Sequence, residues 1–330
     1  MRRTIAVIVL AALASAIPQG AVRDGNWNPE FLRWRNQQGN GRYRDATAEG
    51  HRLGEIPPPF LFNAEGYADG TGFTPQSEPP PRFDLRDSGG LTPVRNQGNC
   101  GSCWAFAVLG AVESDWIISG RGVHDLSEDH LNTCHLPFLK APCLGGNAYM
   151  ASACLVRGSG PYSESDDPYD DDHKTVDCPS GFDPQGTVTA VHFFPRDPAV
   201  IKNALMISGG LYTNMYYSTS YYNPQNFTYH YPGTAAPNHA VVLAGWDDNK
   251  ITAGGTGAWI VKNSWGTAWG EAGYFYVSYQ DTKFNSSIAR FGGAIDYDPG
   301  SGITTYAESG FICSVGYITD TADGLVRFVA

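Results

Sequence analysis

QGNCGSCWAF, residues 97–106, places two cysteines in a C-x-x-C spacing. That spacing is shared by redox dithiols, zinc half-sites, and pairs in which one cysteine is structural and the other catalytic. The flanking residues begin to separate these. From Ser102 to Gly120 the apolar residues Phe106, Leu109, Val112, Trp116 and Ile117 recur with a helical period, Ser102 standing as N-cap and Gly120 as stop. Cys103 therefore falls in the first turn of a helix, where the positive end of the dipole favours thiolate, and Cys100 falls outside it.

The rest of the chain sets the frame. With 330 residues, 42% of them apolar and 13% aromatic, it has material for a sizeable core. MRRTIAVIVLAALASA, residues 1–16, combines two arginines, a short apolar run and a small-residue cleavage pattern, which predicts a signal peptide and a secreted, extracellular protein. That run is well short of the ~20 residues a bilayer span needs, and no later stretch qualifies. The seven cysteines (Cys100, Cys103, Cys134, Cys143, Cys154, Cys178, Cys313) are an odd number, so export into an oxidising compartment leaves at least one thiol unpaired. Residues 1–82 carry a net charge of +1 and residues 83–330 one of −12, which argues against nucleic acid or an anionic membrane as partner.

Two proline clusters, EIPPPF (55–60) and SEPPPR (77–82), and scattered arginines predict extended, linker-like backbone over residues 17–82. From Phe83 the composition is globular. Short helices are expected at 127–132 and 147–156. Strands follow at TVTAVHFF (187–194), GLYTNMYY (210–217), HAVVLAGW (239–246), AWIVKNSW (258–265) and GYFYVSY (273–279), separated by Asp-Asp-Asn, Gly-Gly and Gly-Thr turns. Helices followed by strands predict an α+β protein of two lobes.

A nucleophilic cysteine needs a base and a group that orients the base. His239 opens one strand and Asn263 lies in the next. QGNCGSCWAF, followed by NHAVVLAGW and WIVKNSWGTAWGEAGYF, resembles the papain family of cysteine peptidases, whose cysteine loop and distant His and Asn are a known signature. His239 lies 136 residues after Cys103 and Asn263 lies 160 after it, the second slightly beyond the usual range. FDLRDSGGLTPVRNQG, LSEDHLNTC and CLGGNA fall in the family's order, so the resemblance spans about residues 83–285.

The resemblance implies a papain-like fold with a helical left lobe, an antiparallel β-barrel right lobe and the active-site cleft between them. It assigns Cys103 as nucleophile, His239 as general base and acid, Asn263 as orienting amide and Gln97 as oxyanion donor. It matches Trp265 to a shield over the Asn–His bond, Trp269 to the leaving-group side, and Gly145 and Gly146 to the backbone strip that binds substrate. Ala148, Asn214 and Asn238 stand as neighbours of the pocket for the second residue upstream of the cut. The implied disulfides are Cys100–Cys143 and Cys134–Cys178. Cys154 reads as a buried small hydrophobe, with a bond to Cys313 disfavoured.

No cofactor and no metal are expected. SESDDPYDDDHK (163–174) lacks the Asp-x-Asp-x-Asp-Gly pattern of a calcium loop. A zinc reading of His130, Cys134, His135 and Cys143 conflicts with the implied disulfides. The tyrosine-rich run 211–233 suits a cleft wall or plain packing equally. The expected division is a signal peptide at 1–16, a propeptide or linker at 17–82 that inhibits its own enzyme, a peptidase domain at 83–295 and a β-rich extension at 296–330. The expected function is a secreted endopeptidase made as a zymogen and acting on proteins or peptides. The alternative is a cell-surface or glycan-binding protein carrying a peptidase domain, because the extension resembles the start of a lectin-like module.

Overall fold

Asn28 accepts a hydrogen bond from the Glu30 N–H at 2.9 Å, and Pro29 follows it, so a helix begins where linker-like backbone is predicted. This helix, Pro29–Gly39 (α1), buries Phe31 and Trp34 in the core of the helical lobe. The computed structural model describes residues 28–39, 47–58, 78–134, 142–156, 160–171, 178 and 180–297. The signal-like segment, Cys313 and nearly all of residues 296–330 lie outside the described residues.

Short strands Thr47–Ala48 (β1) and His51–Arg52 (β2) pair with each other, and Arg82–Asp84 (β3) opens the main body. Cys103–Ile118 (α2) starts at Cys103 as expected. The Ser102 hydroxyl makes no cap bond; it meets the Tyr169 hydroxyl at 2.6 Å instead. At the other end Gly120, at φ +82°, closes a Schellman motif in which Arg121 N–H reaches the Trp116 carbonyl. In Glu128–Thr133 (α3), Ser127 accepts from the His130 N–H at 2.9 Å; before Ala148–Val156 (α4), Asn147 accepts from Tyr149 and Met150. Cys154 is buried in α4.

The second lobe contains Ala190–Phe193 (β4), Pro198–Ser208 (α5), Leu211–Met215 (β5), Tyr222–Asn223 (β6), Thr228–Tyr229 (β7), His239–Thr252 (β8), Gly255–Lys262 (β9), Tyr274–Ser278 (β10) and Ile288–Gly292 (β11). The ladder runs β4-β11-β5-β8-β9-β10-β7-β6, with β3 on β8. Two features differ from the expected antiparallel barrel. Among the described residues no ladder joins the two ends of this path, and β10 pairs β7 in parallel. The expected Asp-Asp-Asn turn is absent as well: β8 continues through Asp247–Asn249 with a register irregularity and turns at Ala253-Gly254. The polar residues mark a bulge, which costs a ladder only local pairing.

One apolar core gathers Trp104, Val112, Trp116 and Leu155 with Tyr212, Ala240 and Phe291 of the sheet, and a second gathers Trp246, Trp259, Val261 and Phe275. Helix α2 packs against β8, β5 and β11, which brings its first turn to the start of β8. Disulfides Cys100–Cys143 and Cys134–Cys178 form as implied. They span 43 and 44 residues, each worth about 3–4 kcal/mol in the chain-entropy account. Cys134 and Cys178, which with His130 form a three-ligand cluster, are thereby consumed.

Candidate active site

Cys103 is carried by the first turn of α2 and His239 by the first residue of β8. His239 Nε2 lies 2.9 Å from Asn263 Oδ1, and that oxygen also accepts the Ser264 N–H at 2.9 Å. An oxygen already accepting one donor fixes the amide, so His239 carries its proton on Nε2 and keeps Nδ1 as the basic nitrogen. Nδ1 is buried with no hydrogen-bond partner among the described residues. The Ala240 N–H acts on Cys103 Sγ, which sets the thiol beside the start of β8.

Gln97 is wholly buried, and its orientation is set by bonds on both sides of the amide. Oε1 accepts from the Ser264 hydroxyl at 2.7 Å and from Trp265 Nε1 at 3.1 Å. Nε2 must then face the cleft, where it donates to the Arg52 carbonyl and the Cys100 carbonyl, each at 2.8 Å. Trp265 also stacks on the His239 ring at 4.8 Å and 29°, as a shield over the Asn–His bond should. Its bond to Gln97 and the part of Ser264 were not legible in the motifs. Trp269 stands 5.0 Å from Trp265 and stacks on Tyr222, so part of the tyrosine run lines the cleft, whereas Tyr229 packs in the core.

Residues 51–58 cross this site. Gly146 N–H donates to the Gly54 carbonyl at 2.9 Å, Ile56 N–H to the Gly146 carbonyl at 2.9 Å, and Glu55 N–H to the Asn238 carbonyl at 3.1 Å. Asn238 thus contributes its backbone; its side chain is bound to Tyr217. The Gly54 N–H donates to Cys103 Sγ at 3.3 Å. Close approach explains the glycines: a Cβ on Gly146 would lie 2.4 Å from the Trp104 ring, and one on Gly145 would lie 2.4 Å from the Gly54 carbonyl oxygen. Nearby, Glu49 accepts from Trp269 Nε1 and from the Tyr217 hydroxyl, and His51 stacks on Trp265 at 5.1 Å. The sequence signal for this crossing is the lone glycine in RLGEIP (52–57).

Burial under this strand sets the protonation states. It pushes the Cys103 thiol up to about 12, against hydrogen bonds from Ala240, Gly54 and Trp104 that pull the other way. It pushes His239 down to about 4, with the Asn263 bond opposing. Thiol and imidazole are therefore both neutral while the strand is in place. Ala148 is wholly buried at the start of α4. Asn214 and Tyr212 contact the Glu55 carboxyl.

The papain family cysteine protease model matches residues 79–290, and the chain belongs to that family. Cathepsin R of Mus musculus is 32% identical over 218 residues, which are 64% of this chain and 64% of that one. The solved cysteine protease and lectin-like domains of Cwp84, a surface layer associated protein of Clostridium difficile, are 25% identical with TM-score 0.69 over 83% of this chain and 61% of theirs. Bromelain of Ananas comosus, solved with the E64 inhibitor, is 27% identical with TM-score 0.53 over 64% of this chain and 97% of its own.

Iodoacetamide under non-reducing native conditions should label Cys103 slowly in the intact chain and at least ~10-fold faster once residues 47–58 are released, with no label on Cys100; mass mapping of the alkylated peptides reads both.

Proposed function

We propose that this protein is an exported cysteine endopeptidase made as a zymogen, with residues 17–82 as propeptide and 83–295 as the enzyme. The strand at residues 51–58 is the observation that carries the zymogen reading. A productive substrate must put its carbonyl oxygen on Gln97 Nε2 and the same carbonyl's carbon at Cys103 Sγ. Here Gln97 holds the Arg52 carbonyl, while Sγ meets the N–H of Gly54, two residues on. The strand fills the cleft in a position that offers the thiol no carbonyl carbon.

The chemistry follows from the donors present. With the strand gone, water relieves the desolvation of Cys103 and His239, and the proton passes from Sγ to Nδ1. The thiolate attacks the peptide carbonyl; Gln97 Nε2 and the Cys103 N–H receive the oxyanion. His239 gives its proton to the departing amine, leaving a thioester, then takes a proton from the water that attacks it. That second step releases the acid and restores the thiol.

Export is supported by the pattern of residues 1–16 and by two disulfides, which persist in oxidising compartments. Among the described residues no helix is long and apolar enough to cross a membrane. The lectin-like domain that accompanies the protease in the Cwp84 structure, with the β-like alternation of residues 296–330, supports a second reading in which that segment begins a glycan-binding module. A glycan array probed with the full chain and with a form ending at 295 decides it: equal signals remove that reading.

The purified precursor should shorten to a species starting near Phe83 and then hydrolyse casein, whereas Cys103→Ala should do neither. Gln97→Glu keeps the acceptor oxygen but loses the donor, and kcat should fall at least ~10²-fold; a precursor that never shortens and is inactive on peptides sinks the proposal.

Strand release should also depend on pH. Docking raises Glu55 from its ordinary 4.5 to about 8 through burial, so protonated Glu55 holds the strand, and that contribution declines as pH rises from 4.5 to 8. Docking lowers His239 from 6.5 to about 4, so its contribution grows as pH rises over that range. The two oppose below about 6.5, and only the Glu55 loss remains between about 6.5 and 8. Strand affinity in Cys103→Ala, followed by hydrogen exchange at Ile56, should therefore be nearly level below pH 6.5 and fall steeply, up to about tenfold per unit, from there to pH 8. Glu55→Gln should abolish that fall.

A further inference from the structure

Tyr212 and Asn214 are two residues apart on β5, so both side chains leave the same face of the strand. They end against the Glu55 carboxyl: the Tyr212 hydroxyl lies 2.6 Å from Oε2 and Asn214 Nδ2 lies 3.1 Å from Oε1. The three residues are 0%, 1% and 3% exposed, so these bonds form out of water.

Both groups face Glu55 as donors. Asn214 Oδ1 accepts the Ser287 N–H at 2.9 Å, which turns its NH2 toward the pocket. The Tyr212 hydroxyl donates its hydrogen to Glu55 Oε2. Among the described residues Glu55 has no ion pair: the pocket supplies hydrogen-bond donors without a cation. An amide oxygen meets that chemistry without the cost of burying a carboxylate, and a protonated carboxyl meets it almost as well.

We propose that the pocket made by Tyr212, Asn214 and Ala148 selects substrates with glutamine, or protonated glutamate, at the residue paired with Gly146. This rests on the peptidase reading above. Residues opposite one another in a ladder share a face in parallel and antiparallel pairs alike, so a substrate residue set against Gly146 sends its side chain where Glu55 sends its own. An aliphatic side chain there would leave two buried donors unpaired, and such sites reject analogues that lack the acceptor.

Two arms test this. In full-length Cys103→Ala at pH 7, which does not depend on catalysis, Glu55→Gln should protect the Ile56 and Gly146 amides from exchange at least as well as Glu55, and Glu55→Leu should raise their exchange ~10-fold or more. Equal protection by Gln and Leu overturns the proposal. In the second arm the processed enzyme meets a positional peptide library, with casein hydrolysis as the measure of peptidase activity. Gln at the selected position should exceed Leu by at least ~10-fold in kcat/KM, and Tyr212→Phe combined with Asn214→Val should reverse the order. Casein cleavage with a preference for Leu or Phe overturns the selectivity and leaves the peptidase reading standing. No hydrolysis of any substrate overturns the peptidase reading, and the first arm then decides the pocket by itself.

Discussion

One side chain ties the nucleophile's loop to the base's loop. Gln97 stands six residues before Cys103, and its Oε1 accepts from Ser264 and Trp265, which follow Asn263 directly. Its backbone N–H donates to the Ser264 carbonyl at 2.8 Å, and Asn96 pairs with Trp265. The thiol belongs to a helix of one lobe and the imidazole to a strand of the other, and this seam joins the packing of α2 on β8, β5 and β11 in setting their relative position. The same bonds orient Gln97 Nε2 into the cleft, so the group that ties the lobes also presents a donor there.

Burial has opposite consequences on the two sides of that seam. Around Asn263 and Trp265 exclusion of water strengthens the bonds that orient His239. Around Cys103 it suppresses charge, holding the thiol protonated although it sits at a helix N-terminus. Desolvation outweighs the helix dipole and three hydrogen bonds as long as residues 51–58 cover the site. Residues 51–58 therefore lie over a Cys103 thiol that burial keeps protonated.

The glycines of the strip show how little room this closure leaves. Gly54 approaches the Gly101 carbonyl so closely that an added Cβ would lie 1.9 Å from its oxygen, and Gly145 and Gly146 face Gly54 and Trp104 at similarly short range. Backbone meets backbone here, through N–H and carbonyl groups, while the Glu55 side chain ends beside the strip on Tyr212 and Asn214.

Cys103, His239, Asn263 and Gln97 were legible because each stands in a run of residues whose types are constrained by chemistry: a thiol at a helix start, an imidazole and an amide on adjacent strands. Both disulfides followed from the resemblance those motifs carry. Helices α2, α3 and α4 and strands β4, β5, β8, β9 and β10 were legible from periodicity, which is local; helices α1 and α5 were not. What escaped depended on partners far along the chain. Asp247–Asn249 has turn composition yet continues β8, because ladder pairs on either side, Asp247 with Arg82 and Ala258 and Ile251 with Thr256, carry the strand through the irregularity. Residues 47–58 read as linker because their partners, Gly146, Asn238 and Cys103, lie dozens of residues away or more. Sequence alone determined the candidate groups and the helix and strand that carry them; only the tertiary structure decided that they are covered and lie beside a carboxyl held between two donors, since burial and orientation are properties of what packs against a residue.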